Sequence, residues 1–337
     1  MRTSDFEYDL PVELIAQDPL PDRAASRLLV LDRSSGEVKH DLFRNIVGYF
    51  RPGDVLVIND SRVSSFRLRG RRPSGAAVEA LFLECVHGVT FRALMKPGRR
   101  LHTGDRIAFG GGLTGTIVSR EEDGSRLVEL SADEGDLMSA IGREAEAPLP
   151  PYIRKPLQAK ERYQTVYSAV DGSSAAPTAG LHFTADKLRE VEDAGVRIAR
   201  ITLHVGASTF RPVRAESLEE HRLTGERFTI SAEAADTISQ AAGRVFAVGT
   251  TSTRALEAAA ESPGTVAPMD GQTDLFIRPG HEFRIVKGLV TNFHMPRSTL
   301  FVLVAAFAGR EKLLRAYSEA VRERYRFLSL GDAMLVV

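Results

Sequence analysis

Arg244-Val245-Phe246-Ala247-Val248-Gly249-Thr250-Thr251-Ser252-Thr253-Arg254-Ala255-Leu256-Glu257 is the stretch on which the fold class turns. A short apolar run passes through one glycine into helical spacing, which predicts a strand over 244–248 and a helix over 253–262. Outward from it the alternation recurs. A helix over 185–194 leads to a strand over 197–204, and a helix over 232–242 precedes Arg244. Strands over 274–277, 282–286 and 288–290 precede helices over 298–308 and 310–324, and a run over 327–336 closes the chain's pattern. Such alternation implies an α/β domain.

Between Arg67 and Ala132 the pattern is different. Only strand-like runs occur there, over 77–86, 90–96, 106–109, 113–119 and 126–131, separated by glycine-containing turns. That spacing predicts a small antiparallel β-barrel. A helix over 133–143 follows, and Pro148-Leu149-Pro150-Pro151 reads as a stiff connector. The apolar run over 53–58, before the barrel, belongs with the later strands. The expected architecture is therefore a central mixed-sheet, barrel-like α/β domain of residues 1–66 and 149–337, with a small antiparallel β-barrel inserted at 67–148.

Composition sets the outer limits. The chain has 337 residues, 43% hydrophobic and 26% charged, enough for a full core and two domains. Cys85 is its one cysteine, which excludes an intramolecular disulfide and every multi-cysteine zinc pattern and favours a reducing cytoplasm. No metal-ligand cluster stands out. Asp5, Glu7 and Asp9 occupy the first eleven residues, and no apolar run approaches the roughly 18 residues of a membrane span, which argues against secretion and membrane insertion. The net charge of zero hides a local asymmetry. Residues 62–106 carry ten Arg or Lys against Glu79, Glu84 and Asp105, a local net of +7, and residues 121–146 balance them with nine acids against Arg126 and Arg143. This basic stretch is either a solvated face or a nucleic-acid contact.

In α/β sheets ligands bind outside the carboxyl ends of the strands, so the residues after each strand are the candidates. Thr291-Asn292-Phe293-His294-Met295-Pro296-Arg297-Ser298 places an amide, an imidazole and a cation between a strand stopped by Pro296 and a helix capped by Ser298. Gly249 to Arg254 opens a helix whose free N–H groups suit a carboxylate or phosphate. Asn59-Asp60-Ser61-Arg62 and His204-Val205-Gly206 follow two further strands. Ala176 to Thr184 forms a tight loop through Pro177 and Gly180, holds His182, and ends on the capping residue Thr184. Each histidine alone can be a satisfied structural residue; three of them, His182, His204 and His294, on three such junctions point to one shared pocket. Gly110-Gly111-Gly112 lies between strands and is a turn rather than a dinucleotide cradle, and Gly206-Ala207-Ser208-Thr209-Phe210 lacks the closing glycine of a nucleophile elbow. There is no Walker-type lysine loop.

Several motifs occur in order along the chain. They are Tyr8-Asp9-Leu10-Pro11, Leu14 to Gln17, Ser26-Arg27-Leu28-Leu29, Asn59 to Val63, Glu161 to Tyr167 and Ala175 to Thr184. Leu203 to Gly206, Gly249 to Ser252, Thr273 to Ile277, Thr291 to Thr299 and Tyr325 to Met334 follow. Together they resemble the S-adenosylmethionine:tRNA ribosyltransferase-isomerases of queuosine synthesis, over nearly the whole chain. The sequence departs from that pattern at Ala24, Ser208, Thr209, Thr224 and Lys287.

The resemblance implies transfer and isomerisation of the ribosyl part of S-adenosylmethionine onto the aminomethyl group of a 7-aminomethyl-7-deazaguanine at the tRNA wobble position. The product is epoxyqueuosine in tRNA, with adenine and methionine released. A C5′ proton beside the sulfonium must be removed, adenine must leave as the ribose opens, and the amine must attack as the epoxide forms. On this resemblance His182 and His294 are the candidate base and proton donor, in either order, and Asn59, Asp60 and Asn292 orient ribose hydroxyls. Phe183 or Phe293 faces the sulfonium, and the methionine carboxylate rests on the Thr250, Thr251 and Ser252 amides or against Arg254. Arg62, Thr178, Gly180, His204 and Gly206 complete the substrate-binding set. The tRNA anticodon stem-loop is expected against Arg67, Arg69, Arg71 and Arg72, helped by Arg322 and Arg324. The expected protein is a cytoplasmic monomer with S-adenosylmethionine as co-substrate, no further cofactor, no metal and no membrane. The competing readings are a noncatalytic RNA-binding protein and a small-nucleotide transferase or hydrolase.

Overall fold

A computed structural model describes residues 1–206, 213 and 215–337. The candidate elbow at Ala207 to Phe210, with the departures at Ser208 and Thr209, lies outside the described residues.

Nine strands form one mixed sheet in the order Met269–Thr273, Glu226–Ile230, Arg197–Leu203, Val55–Asn59, Val245–Val248, Gly288–Asn292, Ala333–Val336, Arg27–Leu31, Val38–Leu42. The four strands from Arg197–Leu203 to Gly288–Asn292 run parallel. Val55–Asn59, Val245–Val248 and Gly288–Asn292 are buried at every position, because both faces are covered, and this is why they read as unbroken apolar runs. The sheet keeps two edges, Met269–Thr273 and Val38–Leu42, so the barrel-like curvature expected for this domain takes the form of an open sheet.

The inserted unit does close. Phe66–Arg71, Ala77–His87, Thr90–Lys96, Arg106–Gly110, Leu113–Arg120 and Arg126–Ala132 pair antiparallel around a six-stranded barrel. Its core is separate, built on Leu68, Phe82, Phe91 and Phe109. The lumen is tight: a Cβ on Gly70 would lie 2.7 Å from the Phe109 ring, so only glycine fits there. Val55–Asn59 precedes the barrel in sequence yet lies between strands that follow it, as the apolar run over 53–58 predicted.

Three expectations shift. The helix expected over 253–262 starts earlier, as Gly249–Ala258, because Gly249 adopts φ +90° and turns the chain directly from strand to helix. The runs over 274–277 and 282–286 are not strands. The backbone N–H groups of Arg284, Ile285 and Val286 donate instead to the buried Glu257 carboxylate, at 2.9, 3.1 and 2.9 Å. Of the expected closing run over 327–336, only Ala333–Val336 is strand. Among the described residues, no helix is long and apolar enough to cross a membrane and no cluster of His, Cys, Asp or Glu is arranged to hold a metal.

Candidate active site

Parallel register decides where the site lies. Val248 pairs with Val290 in adjacent parallel strands, so the chain after Val248 and the chain after Asn292 leave the sheet side by side. The loop at 176–179 crosses the same edge. These three segments, with Tyr152, Leu328 and Ser329, line one cavity. Thr178, Thr250, Thr251, Asn292, Phe293 and His294 all reach its wall.

One side of the cavity is a helix start. Gly249–Ala258 begins there with no side-chain cap, which leaves its first-turn amides and the positive end of its dipole facing the cavity beside Thr250 and Thr251. The other side is His294, 8% exposed. Its backbone is clamped: the N–H donates to Tyr317 Oη at 3.0 Å, and Tyr8 Oη donates to the C=O. Its Nε2 lies 2.7 Å from Thr291 Oγ1, and its Nδ1 has no hydrogen-bond partner among the described residues. Burial lowers its pKa to about 3, so the ring is neutral at physiological pH.

His182 stands behind this wall rather than in it. Thr178 Oγ1 donates to Asn292 Oδ1 at 2.9 Å, and Asn292 Nδ2 donates to His182 Nε2 at 3.1 Å. An amide N–H₂ can only donate, so Nε2 carries the lone pair and the Nδ1–H donates to Ser26 Oγ at 2.8 Å. Burial, with smaller effects from the Arg23 and Arg326 guanidinium groups, lowers the His182 pKa to about 3. Both ring nitrogens are engaged, and the imidazole sets which way the Asn292 amide points. On its far side His182 borders a smaller cavity with Arg23, Ser26 and Arg162.

The family described as "Queuosine biosynthesis protein" matches residues 3–336. The chain belongs to this family. It is 49% identical to an S-adenosylmethionine:tRNA ribosyltransferase-isomerase of Caldanaerobacter subterraneus subsp. tengcongensis, the match covering 100% of both chains. With the protein of the same name from Symbiobacterium thermophilum it shares 50% identity, again over 100% of both. A crystal structure of an S-adenosylmethionine tRNA ribosyltransferase from Thermotoga maritima has a TM-score of 0.56 and 36% identity, covering 99% of this chain and 100% of that one.

Other residues expected at the family's site have different surroundings. His204 does not line the cavity; it packs on Gly172, where a Cβ would lie 2.9 Å from the ring, and the three-histidine pocket reduces to His294 at the wall with His182 behind it. Asn59 is buried and brackets the sheet, its Nδ2 donating to Leu203 O at 2.9 Å and its Oδ1 accepting from Leu203 N at 3.0 Å. Asp60 accepts from Thr202 Oγ1 at 2.6 Å, and Arg62 reaches Glu161 at 3.1 Å. Neither lines the cavity. Gly206 donates its N–H to Glu226 at 2.8 Å. Arg254 is buried and engaged on every nitrogen: it forms an ion pair with Glu226 and donates to Leu275 O and Thr273 O at 3.1 and 3.2 Å. It therefore braces the sheet edge, with its guanidinium held by protein acceptors and outside the lining of the cavity. The Ser252 hydroxyl donates back to Val248 O at 2.8 Å.

Gly180 serves packing, since a Cβ there would overlap Tyr167 Oη. The Phe183 ring packs edge-on against Phe43 in the core, and the Phe293 ring packs among Tyr317, Tyr325 and Phe327, so neither ring is free to face a sulfonium. Arg67 and Arg69 border a second, larger groove. Arg71 donates to Gly75 O, and Arg72 donates to Arg100 O and to Asp105, so both serve the barrel's own turns. Arg322 pairs with Glu319 and Glu323 and, like Arg324, lines neither groove nor cavity. Sequence reasoning missed Tyr152 and Ser329, whose hydroxyls lie 2.6 Å apart at the cavity wall. Their only signal was position: one follows the proline connector, and the other lies in the Tyr325 to Met334 motif.

Proposed function

We propose that the cavity binds S-adenosylmethionine and that this chain catalyses the ribosyl transfer and isomerisation named for its relatives. The acceptor is the aminomethyl group of 7-aminomethyl-7-deazaguanine at the tRNA wobble position, and the products are epoxyqueuosine in tRNA, adenine and methionine. The supporting observation is a helix N-terminus and a neutral buried imidazole facing one cavity. The methionine carboxylate fits the first-turn amides beside Thr250 and Thr251, where the dipole favours an anion. The sulfonium and C5′ then fall toward His294.

His294 is the proton acceptor in this reading. Its lowered pKa describes a proton arriving from water into an empty cavity. Abstraction from C5′ is a different process, because a cation is already present. The sulfonium becomes a neutral ylide as the imidazole becomes a cation, so the site keeps its charge and much of the desolvation cost cancels. The imidazolium so formed is the nearest acid for the departing adenine. Thr178 and Asn292, aligned by His182, offer a hydroxyl and an amide to the ribose. Positioning carries a large share of the rate, since general base catalysis typically contributes about 10²- to 10⁴-fold.

The same reading takes residues 1–66 and 149–337 as the catalytic domain and 67–148 as an inserted RNA-contacting domain. It places a monomer in the cytoplasm, with S-adenosylmethionine as co-substrate and neither metal nor further cofactor. An anticodon loop is already single-stranded, so extruding its base is cheap. The experiment is adenine release from S-adenosylmethionine, measured with tRNA that carries or lacks the aminomethyl base. Release with the modified tRNA alone supports the proposal. Release without tRNA points to a small-nucleotide hydrolase, and no release with either points to a noncatalytic RNA-binding protein.

A further inference from the structure

A wide groove lies between the barrel and the connector over 148–154. Lys96, Arg99, Arg120 and Arg154 are exposed along it, Arg67 and Arg126 lie deeper, and Glu79 is the one carboxylate of its described lining. Arg99, Arg120 and Arg154 have no ion pair and no side-chain hydrogen bond among the described residues. Arg126 is 2% exposed, and its guanidinium is held by the carbonyls of Gly98, Leu101 and Gly124 rather than by an acid. The Nε atoms of Arg126 and of Arg67 are buried with no hydrogen-bond partner, and Glu79 forms long ion pairs, at 3.9 Å, with both Arg67 Nε and Lys96 Nζ. Arg126 also loses proton affinity through burial and the nearby Arg120 charge. Arg99, Arg120, Arg126 and Arg154 have no acid partner among the described residues; cations gathered along one groove without compensating acids repel one another, and a polyanion relieves that repulsion.

The groove and the cavity share walls. Ser174 and Ala175 line the groove while the next residues, 176–179, line the cavity; Pro151 and Ile153 face the groove while Tyr152 between them faces the cavity. Leu81, Leu94 and Met95 add an apolar floor on which bases can pack.

We infer that this groove is the track for the sugar-phosphate backbone of a single-stranded RNA segment, which it carries to the wall of the cavity where one base is presented. The inference rests on the proposed function for the identity of that base. It replaces Arg71, Arg72, Arg322 and Arg324 with Lys96, Arg99, Arg120 and Arg154 as the groups that meet phosphate.

The test uses the full chain with Arg99→Gln, Arg120→Gln and Arg154→Gln, singly and combined, and Arg106→Gln, an exposed barrel cation outside the groove, as control. Binding of an anticodon stem-loop RNA is followed against salt. Removing one cation that neutralises a phosphate should lower the log–log slope by about 0.7, so the triple variant should fall by about 2, while the control keeps the wild-type slope. In turnover the triple variant should raise KM for tRNA at least tenfold, with KM for S-adenosylmethionine and the thermal midpoint unchanged. An unchanged slope in the triple variant overturns the inference, as does equal competition by polyaspartate. If wild-type protein binds RNA with the expected slopes but releases no adenine with modified tRNA, the proposed function fails and the groove stands.

Discussion

Replacing His182 separates two roles that the sequence leaves open. Its Nε2 accepts from Asn292 and its Nδ1–H reaches Ser26, so His182→Leu removes an acceptor from a buried amide and leaves that donor unsatisfied. A buried unsatisfied polar group costs about 1–3 kcal/mol. If that cost falls on the transition state, where Asn292 and Thr178 must hold the ribose, kcat drops by roughly 5- to 150-fold at about 1.4 kcal/mol per decade. His182→Gln restores an oxygen acceptor near the same place and should recover most of the loss. Because the ring stays neutral down to about pH 3, the kcat profile from pH 5 to pH 9 should keep its shape in both variants. Single-turnover adenine release across that range is the assay. A Gln variant as inactive as the Leu variant, or an acidic limb near neutrality that disappears in either, would make His182 a proton carrier and refute the positioning argument.

Further expectations follow from the same contacts. Gly180→Ala drives a methyl into Tyr167 Oη and should lower stability by about 1–3 kcal/mol, read as a lower denaturation midpoint; an unchanged midpoint would mean the loop at 178–182 is looser than described. Arg254→Met breaks a buried ion pair with Glu226 and should cost about 3–5 kcal/mol of stability while KM for S-adenosylmethionine stays near wild type; a selective rise in that KM would return Arg254 to the substrate site. His182 and His294 both fall from 6.5 to about 3 on folding, so the unfolded chain takes up protons first as the pH drops. Their contribution is flat above about pH 6.5 and is lost from there toward pH 3, roughly 2 kcal/mol per histidine by pH 5, and equal denaturant midpoints at pH 7.5 and pH 5 would contradict it.

The parts of the fold legible in the sequence are those where burial is complete. Val245–Val248 and Gly288–Asn292 are apolar because both faces are covered, and the barrel strands alternate because one face is. The edge strands Val38–Leu42 and Met269–Thr273 carry no apolar strand pattern to predict them by, since an exposed edge holds Lys39, His40, Asp41, Asp270 and Gln272 without penalty. The runs over 274–277 and 282–286 misled in the opposite direction: their side chains are apolar, but Glu257, from a distant helix, takes the N–H groups that a neighbouring strand would have used. At the site, Thr250, Asn292 and His294 were legible because strand ends in a parallel sheet share one edge. What the side chains do there was not. Asn59, Arg254 and His182 are engaged by Leu203, Glu226 and Asn292, partners 144, 28 and 110 residues away, and sequence spacing carries no record of such pairings.

If His294 takes the C5′ proton in the cavity at the ends of Val245–Val248 and Gly288–Asn292, truncating its ring must abolish the chemical step without emptying the cavity of substrate. Single-turnover adenine release by His294→Ala, with S-adenosylmethionine and modified tRNA both saturating, reads that step alone. The rate should fall by about 10²- to 10⁴-fold with S-adenosylmethionine still bound. A rate within twofold of wild type would show that some other group removes the proton.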